Sequence, residues 1–322
     1  MEDKSPGKRI GRIARWLLAL ACLGYIVHFF WTNQDQLKLL GRFDLPSVVL
    51  LFGLYLVALP IEAWRYRVVL NHCSDAAIGF WPWYEVFVVG RLLNMVAPQA
   101  GNVYRGVTMK RRFGLAYTEY ISSFASYLWL DSVLNLLLTL VIVVLFARDL
   151  VVGGLRVWPV LSGVVVLALA APPAAYLVLS RVTVRHRRLK WMYEKLHRVI
   201  GDVAQSVRRP RYLATVTLPG VALFGIACAV VYIMFNAIEQ PVSLPLAALF
   251  AGIMKLAVLL VITPGNLGVR EVAYGVLADQ AGVGMGAGII VSVTVRVIAT
   301  LVVMANAGVV KLAGMRHKTP PD

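Results

Sequence analysis

Two short segments combine helix-breaking residues with the side chains that bind anions. They read Asn94-Met95-Val96-Ala97-Pro98-Gln99-Ala100-Gly101-Asn102-Val103-Tyr104-Arg105 and Thr263-Pro264-Gly265-Asn266-Leu267-Gly268-Val269-Arg270-Glu271. Each interrupts an apolar helical run and then supplies Asn and Arg. A helix that restarts after such a break presents free backbone N–H groups and about half a positive charge at its N-terminus, a setting that favours phosphate or carboxylate. Arginine adds a planar fork for the same groups. The expected breaks are Pro98 and Gly101 in the first segment and Pro264, Gly265 and Gly268 in the second. The expected substrate-binding residues are Arg91, Asn94, Gln99, Asn102 and Arg105 around the first, and Lys255, Asn266, Arg270 and Glu271 around the second. The alternative is that these residues satisfy the broken backbone or reach out to the interface. For Arg270 and Glu271 the vicinal opposite charges favour function, as an anion anchor beside a titratable carboxylate.

The elements that must hold these residues are membrane spans. Hydrophobic residues make up 59% of the 322, charged residues only 15%, and the mean hydropathy is +0.74, which together predict an all-α polytopic membrane protein. Six full spans are expected at about 16–32, 45–64, 119–147, 157–180, 213–236 and 285–312, with two re-entrant broken-helix hairpins at about 83–105 and 243–281. Irregular backbone at membrane depth persists only where it is buried in protein or lines a polar cavity, and a repeated pair of breaks is a pointer to a transport site. On this topology the basic clusters fall on one side: the tail 1–15, Arg65 and Arg67, Lys110 to Arg112, the loop 181–211, and Lys311 to Lys318 running into the tail 315–322. That places both termini in the cytosol. The formal charge of +16 then reflects positive-inside topology and anionic lipid, with no nucleic acid as partner.

Near-constant offsets divide the chain into two units, 16–150 and 151–314, each of span, span, hairpin and span. The offset is 166 between Pro98 and Pro264, 165 between Arg105 and Arg270, and 166 between the span starts at 119 and 285. An odd number of full spans per unit makes the second an inverted repeat of the first. Asp131 and Arg296 lie about 12 and about 11 residues into their spans, 165 apart, where a charge costs on the order of 2.5–3.5 kcal/mol to insert. They are expected to approach each other as coupling or gating residues or as a static pair. Glu62 and Glu119 are weaker candidates for proton coupling.

The remaining signals are modest. The loop 181–211 has helical spacing of its apolar residues among many Lys and Arg, which predicts a basic amphipathic helix on the inner leaflet. Gly282, Gly284, Gly286 and Gly288 suit close helix approach. The eight tryptophans are read as interface anchors, and Cys22, Cys73 and Cys228 as packing or incidental residues. Basic residues before the first apolar run imitate a signal peptide, but the run continues past Cys22, so a retained span is expected. No metal-ligand spacing, nucleophile elbow or phosphate-binding loop occurs, so neither a cofactor, a metal nor a catalytic role is expected.

These residues resemble the membrane region of lysylphosphatidylglycerol synthases and their stand-alone relatives, the flippase-like integral membrane proteins. The first family pattern matches Asn94, Pro98, Gly101 and Arg105, followed by Lys110-Arg111-Arg112. The more specific second pattern, Pro-Gly-x-x-Gly-x-Arg-Glu, matches Pro264, Gly265, Gly268, Arg270 and Glu271, and a late arginine matches Arg296. Where the family commonly carries Glu-Arg followed by Asp in the third span, this chain has Asp131, Ser132 and Asn135. The resemblance implies a flippase or translocase in a bacterial or archaeal cytoplasmic membrane, moving an anionic or polyprenyl-phosphate lipid, a phospholipid or a glycolipid. The chain ends at Asp322, just past its last span, so it is expected not to synthesise the lipid itself. Two other readings stay open: a transporter of a soluble anion, and a non-transporting accessory of a lipid-modifying enzyme or glycosyltransferase.

Overall fold

Long apolar runs become long helices. A computed structural model describes residues 6–74, 77–97, 99–181, 210–257, 263 and 266–316. In chain order the elements are α1 (Pro6–Thr32), a 3-10 segment (Gln34–Arg42), α2 (Leu45–His72), α3 (Phe80–Val96), α4 (Ala100–Phe113), α5 (Tyr117–Phe146), strands β1 (Val151–Val152) and β2 (Leu155–Arg156), α6 (Val157–Arg181), α7 (Pro210–Ala237), α8 (Leu244–Ala257), α9 (Val269–Gln280) and α10 (Met285–Arg316). Among the described residues, α2, α5, α6, α7 and α10 are long and apolar enough to cross a membrane. The last turns of α1 and the 3-10 segment form a sixth candidate, bent by 93°. Most of the loop expected to form a basic amphipathic helix, 182–209 with Trp191, lies outside the described residues, as do Pro98, Pro264 and Gly265.

Helix boundaries follow local chemistry. Asp44 caps α2, its carboxylate accepting the Ser47 N–H at 3.2 Å, and the bonds to Ser47 hold its carboxyl below the usual range. Asp35 is held low by the hydrogen bond and charge of Lys38. Glu119 reaches back from the first turn of α5 to accept the Ala116 N–H at 2.9 Å. Between β1 and β2, Gly153 and Gly154 take φ of 60° and 77°, the conformation a two-residue hairpin turn demands.

Two sequence expectations need correction. The helix of the second expected span does not end at 64 but continues to His72, so Arg65 and Arg67 lie in the helix, and Arg65 is fully buried. Trp83 is likewise no interface anchor: it is fully buried, its indole N–H donates to the Ala63 carbonyl at 2.7 Å, and its ring meets Tyr66 edge-on. Trp31 and Trp81, both strongly exposed, keep surface positions.

The chain forms two compact units, neither a continuous segment: Met1–Val57, Val88–Val103 and Ala227–Asp322 make the first, Ala58–Phe87 and Tyr104–Ile226 the second. In the first unit, Phe235, Phe250 and Tyr274 form a run of ring contacts, and α9 lies close on α10 because a side-chain carbon at Gly288 would overlap the Tyr274 carbonyl. In the second unit, Tyr66 is the hub, touching Trp83, Phe87, Phe124 and Tyr127.

Candidate functional site

α3 and α4 have 17 and 14 residues, about 25 Å and 21 Å at 1.5 Å per residue, and neither alone crosses a hydrocarbon core of about 30 Å. They run back on one another. Near the tip, a side-chain carbon at Gly101 would overlap the Gly90 carbonyl oxygen; further along, Arg105 meets Phe87; at the open end, Arg112 pairs with Glu85 at 2.8 Å. Gln99, at φ 62°, supplies the left-handed turn between the arms, a conformation in which amide side chains are tolerated better than most. α8 and α9, of 14 and 12 residues, are similarly short, and Asn266, at φ 53°, and Gly268, at φ 79°, occupy the left-handed region just before α9.

The backbone at the first break is largely satisfied from within. The Asn94 side-chain oxygen accepts the Gly101 N–H at 2.8 Å, the Ala97 and Gln99 carbonyls accept from Ala100 and Val103, and Asn102 donates to Gln99. The N–H groups of Ala100 and Gly101, at the start of α4, are thus bonded by the chain itself. Arg105 is buried; it donates to the Phe87 carbonyl at 3.0 Å, lies 4.8 Å over the Phe87 ring, and is an electrostatic neighbour of Tyr66 and Tyr120 in the second unit.

At the second break the anion is a residue. Glu271, only 2% exposed, accepts the Gly268 N–H with one oxygen at 2.8 Å. Its other oxygen receives Nε and Nη2 of Arg296, both at 2.7 Å. Arg296 also donates to the Asn266 carbonyl at 3.1 Å, so one arginine holds both the loop and the first turn of α9. Adjacent helical residues point in different directions, and Arg270 turns away from its neighbour: it is an electrostatic neighbour of Tyr55 and Tyr274. The buried Arg270 Nε has no hydrogen-bond acceptor among the described residues. Arg91 also acts on Tyr55. Lys255 sits in the last turn of α8.

Asp131 and Arg296, expected to approach each other, each have an ion-pair partner in their own unit. Arg296 holds Glu271, and Asp131 pairs with Arg65. The Arg65 guanidinium also donates through Nε to the Val216 carbonyl at 2.8 Å and lies over the Tyr127 ring, with Glu62 as a further electrostatic neighbour. The sequence reading placed Arg65 among cytosolic charges; its signal was an arginine directly after an apolar run, with no Pro or Gly between Ile61 and His72 to end the helix. Tyr274 was legible as the i+4 neighbour of Arg270. Tyr55, in a uniformly apolar helix, carried no signal beyond its hydroxyl.

Five helices long and apolar enough to cross a membrane among the described residues, with the short, folded-back pair α3 and α4 between them, indicate an integral membrane protein. The chain matches the family described as the lysylphosphatidylglycerol synthase TM region over residues 13–307, and it belongs to that family. No curated protein and no solved structure matches it.

Proposed function

We propose that this protein moves a membrane lipid with an anionic, phosphate-bearing head group between leaflets, and that it does so as a transporter, breaking no covalent bond. The observation that carries this reading is the gathering of cations at the second break in the first unit: Arg91 and Arg270 both act on Tyr55, and Arg296, itself an electrostatic neighbour of Arg270, holds the buried Glu271. Ionisable groups at membrane depth are expensive and are kept for function or pairing. With Glu271 held by Arg296, Arg270 is the cation best placed to receive a phosphate, beside Tyr55 and Tyr274 as hydroxyl donors and Arg91 as a second charge. Membership in a lipid-related membrane family supports the lipid as cargo. Both termini are assigned to the cytosol, and membrane potential supplies about 2.3 kcal/mol per charge per 100 mV as one driving force.

The test is lipid movement in proteoliposomes, with head-group-labelled phospholipids and polyprenyl-phosphate lipids, for the wild type and for Arg270→Ala and Arg270→Lys. Selective movement that Arg270→Ala abolishes and Arg270→Lys partly retains, with melting unchanged, is the expected result. Movement unaffected by Arg270→Ala would remove the proposed anchor. Competition by the water-soluble head group alone would favour a soluble-anion transporter, and no movement of any lipid under a potential would favour an accessory role.

A further inference from the structure

α2 and α7 each carry a proline inside the helix, Pro60 and Pro219. An internal proline removes a ladder hydrogen bond and bends the helix. Beside these prolines lies a groove of about 530 Å³, walled by Pro60 and Trp64 of α2, Phe80 of α3, and Leu218, Pro219 and Ala222 of α7. That volume falls within the roughly 300–1,000 Å³ typical of small-molecule sites. Its wall is apolar throughout, so it offers a water none of the two or more polar partners that a bound water needs.

Its depth can be read from the helices. The rings of His72 and Tyr212 stack at 3.8 Å, which sets the end of α2 beside the start of α7. Trp64 and Pro60 are 8 and 12 residues from His72, and Leu218 and Ala222 are 8 and 12 residues from Pro210. At 1.5 Å per residue the groove therefore begins about 12 Å and ends about 18 Å from those helix ends. A 28-residue helix is about 42 Å long and overhangs a hydrocarbon core of about 30 Å by about 6 Å at each end, so the groove lies about 6–12 Å inside the core. What surrounds the outer wall of two membrane spans at that depth is hydrocarbon.

We propose that this groove is a binding site for one hydrocarbon chain of a membrane lipid, in the leaflet next to His72 and Tyr212. A chain entering it from the bilayer gains no hydrophobic free energy, because the lipid interior is as apolar as the wall. Retention depends on packing against rigid rings and prolines, so the site selects by chain shape. The wall behind it is not passive. A side-chain carbon at Gly220 would meet the Arg65 guanidinium at 3.0 Å, and Arg65 takes the carbonyl of Val216, three residues before Pro219. The chain thus rests on the segment that holds the Arg65–Asp131 pair. The proposal does not depend on lipid transport.

The test uses the full chain in proteoliposomes with a phosphatidylglycerol bearing a diazirine midway along one acyl chain. Adducts are mapped by mass spectrometry after illumination. Expected are adducts concentrated on Trp64, Phe80 and Leu218, saturable by unlabelled lipid. They fall to background when the exposed Ala222 is enlarged in Ala222→Trp or, as a second filling variant, Ala222→Phe. Leu167→Trp, at a strongly exposed position of α6, leaves them unchanged. Adducts spread over all exposed apolar positions without saturation, or equal yields in the filled variants, would each overturn the site.

Discussion

The two oxygens of Glu271 have separate work, one closing the first turn of α9 and the other receiving Arg296. Glu271→Gln keeps an acceptor for the Gly268 N–H and loses the ion pair; Glu271→Ala loses both. Thermal unfolding in detergent should place the alanine variant below the glutamine variant by about 1 kcal/mol, the usual worth of a helix cap. Arg65 and Asp131 form a pair in which the arginine is wholly buried. Arg65→Ala should cost about 3–5 kcal/mol by leaving the carboxylate uncompensated, and Arg65→Met combined with Asp131→Leu should recover most of it. Strictly additive losses in that cycle would show that the two charges are not coupled. Asp131 was legible as a charge deep in an apolar run, but its partner was not. Which helix an intramembrane acid faces is decided by packing between segments far apart in the chain, here 66 residues, and no local pattern records it.

Among the elements, the α3–α4 hairpin makes the most specific demand. With Gly101 against the Gly90 carbonyl, Gly101→Ala must push the arms apart, and it should lower the melting temperature sharply. Gly24→Ala, at a helical position where the added carbon meets nothing, should be neutral or slightly stabilising, since alanine is the better helix former. Because Arg112 pairs with Glu85, the start of α3 and the end of α4 lie side by side. In the topology proposed, single cysteines at the exposed positions 77 and 114 should react with a membrane-impermeant maleimide only from the cytosolic side, and those at 35 and 153 only from outside. Labelling of 77 and 114 from opposite sides would make α3–α4 a crossing segment. The breaks were legible because proline, glycine and amides interrupt apolar runs. The internal use of α4's N–H groups was not, since it follows from Asn94 reaching a residue seven positions on and depends on the reversal itself.

At the scale of the whole chain, each compact unit draws on segments from both sides of the Gly153-Gly154 turn. Arg42 reaches Glu239 and the Ile238 carbonyl in one unit, and Arg65 reaches Val216 in the other. If the chain is cut at this exposed turn, 1–153 and 154–322 should each be unstable alone and should co-purify as a folded complex when expressed together, checked by size-exclusion chromatography and melting. A half that folds by itself would mean that these long-range bonds are dispensable. The class of fold was plain in composition and run length, because a 28-residue apolar helix has few other places to exist. The interleaving of segments was hidden, since near-constant offsets along the chain do not say which segments touch.

The close quarters at Gly101 and Gly268 also bear on how such a protein diversifies. Position 101 has no room for any side chain, and position 268 combines φ 79° with a Cβ that would fall 2.5 Å from that of Cys22. Under the proposed function, variation in cargo preference is therefore expected away from these two positions, and away from Asn94, Arg105 and Arg296, whose side chains hold the backbone or Glu271 in place. A mutant library seeking altered head-group preference should hold 101 and 268 constant and spend its diversity on Tyr55, Arg91, Gln99, Asn102 and Arg270.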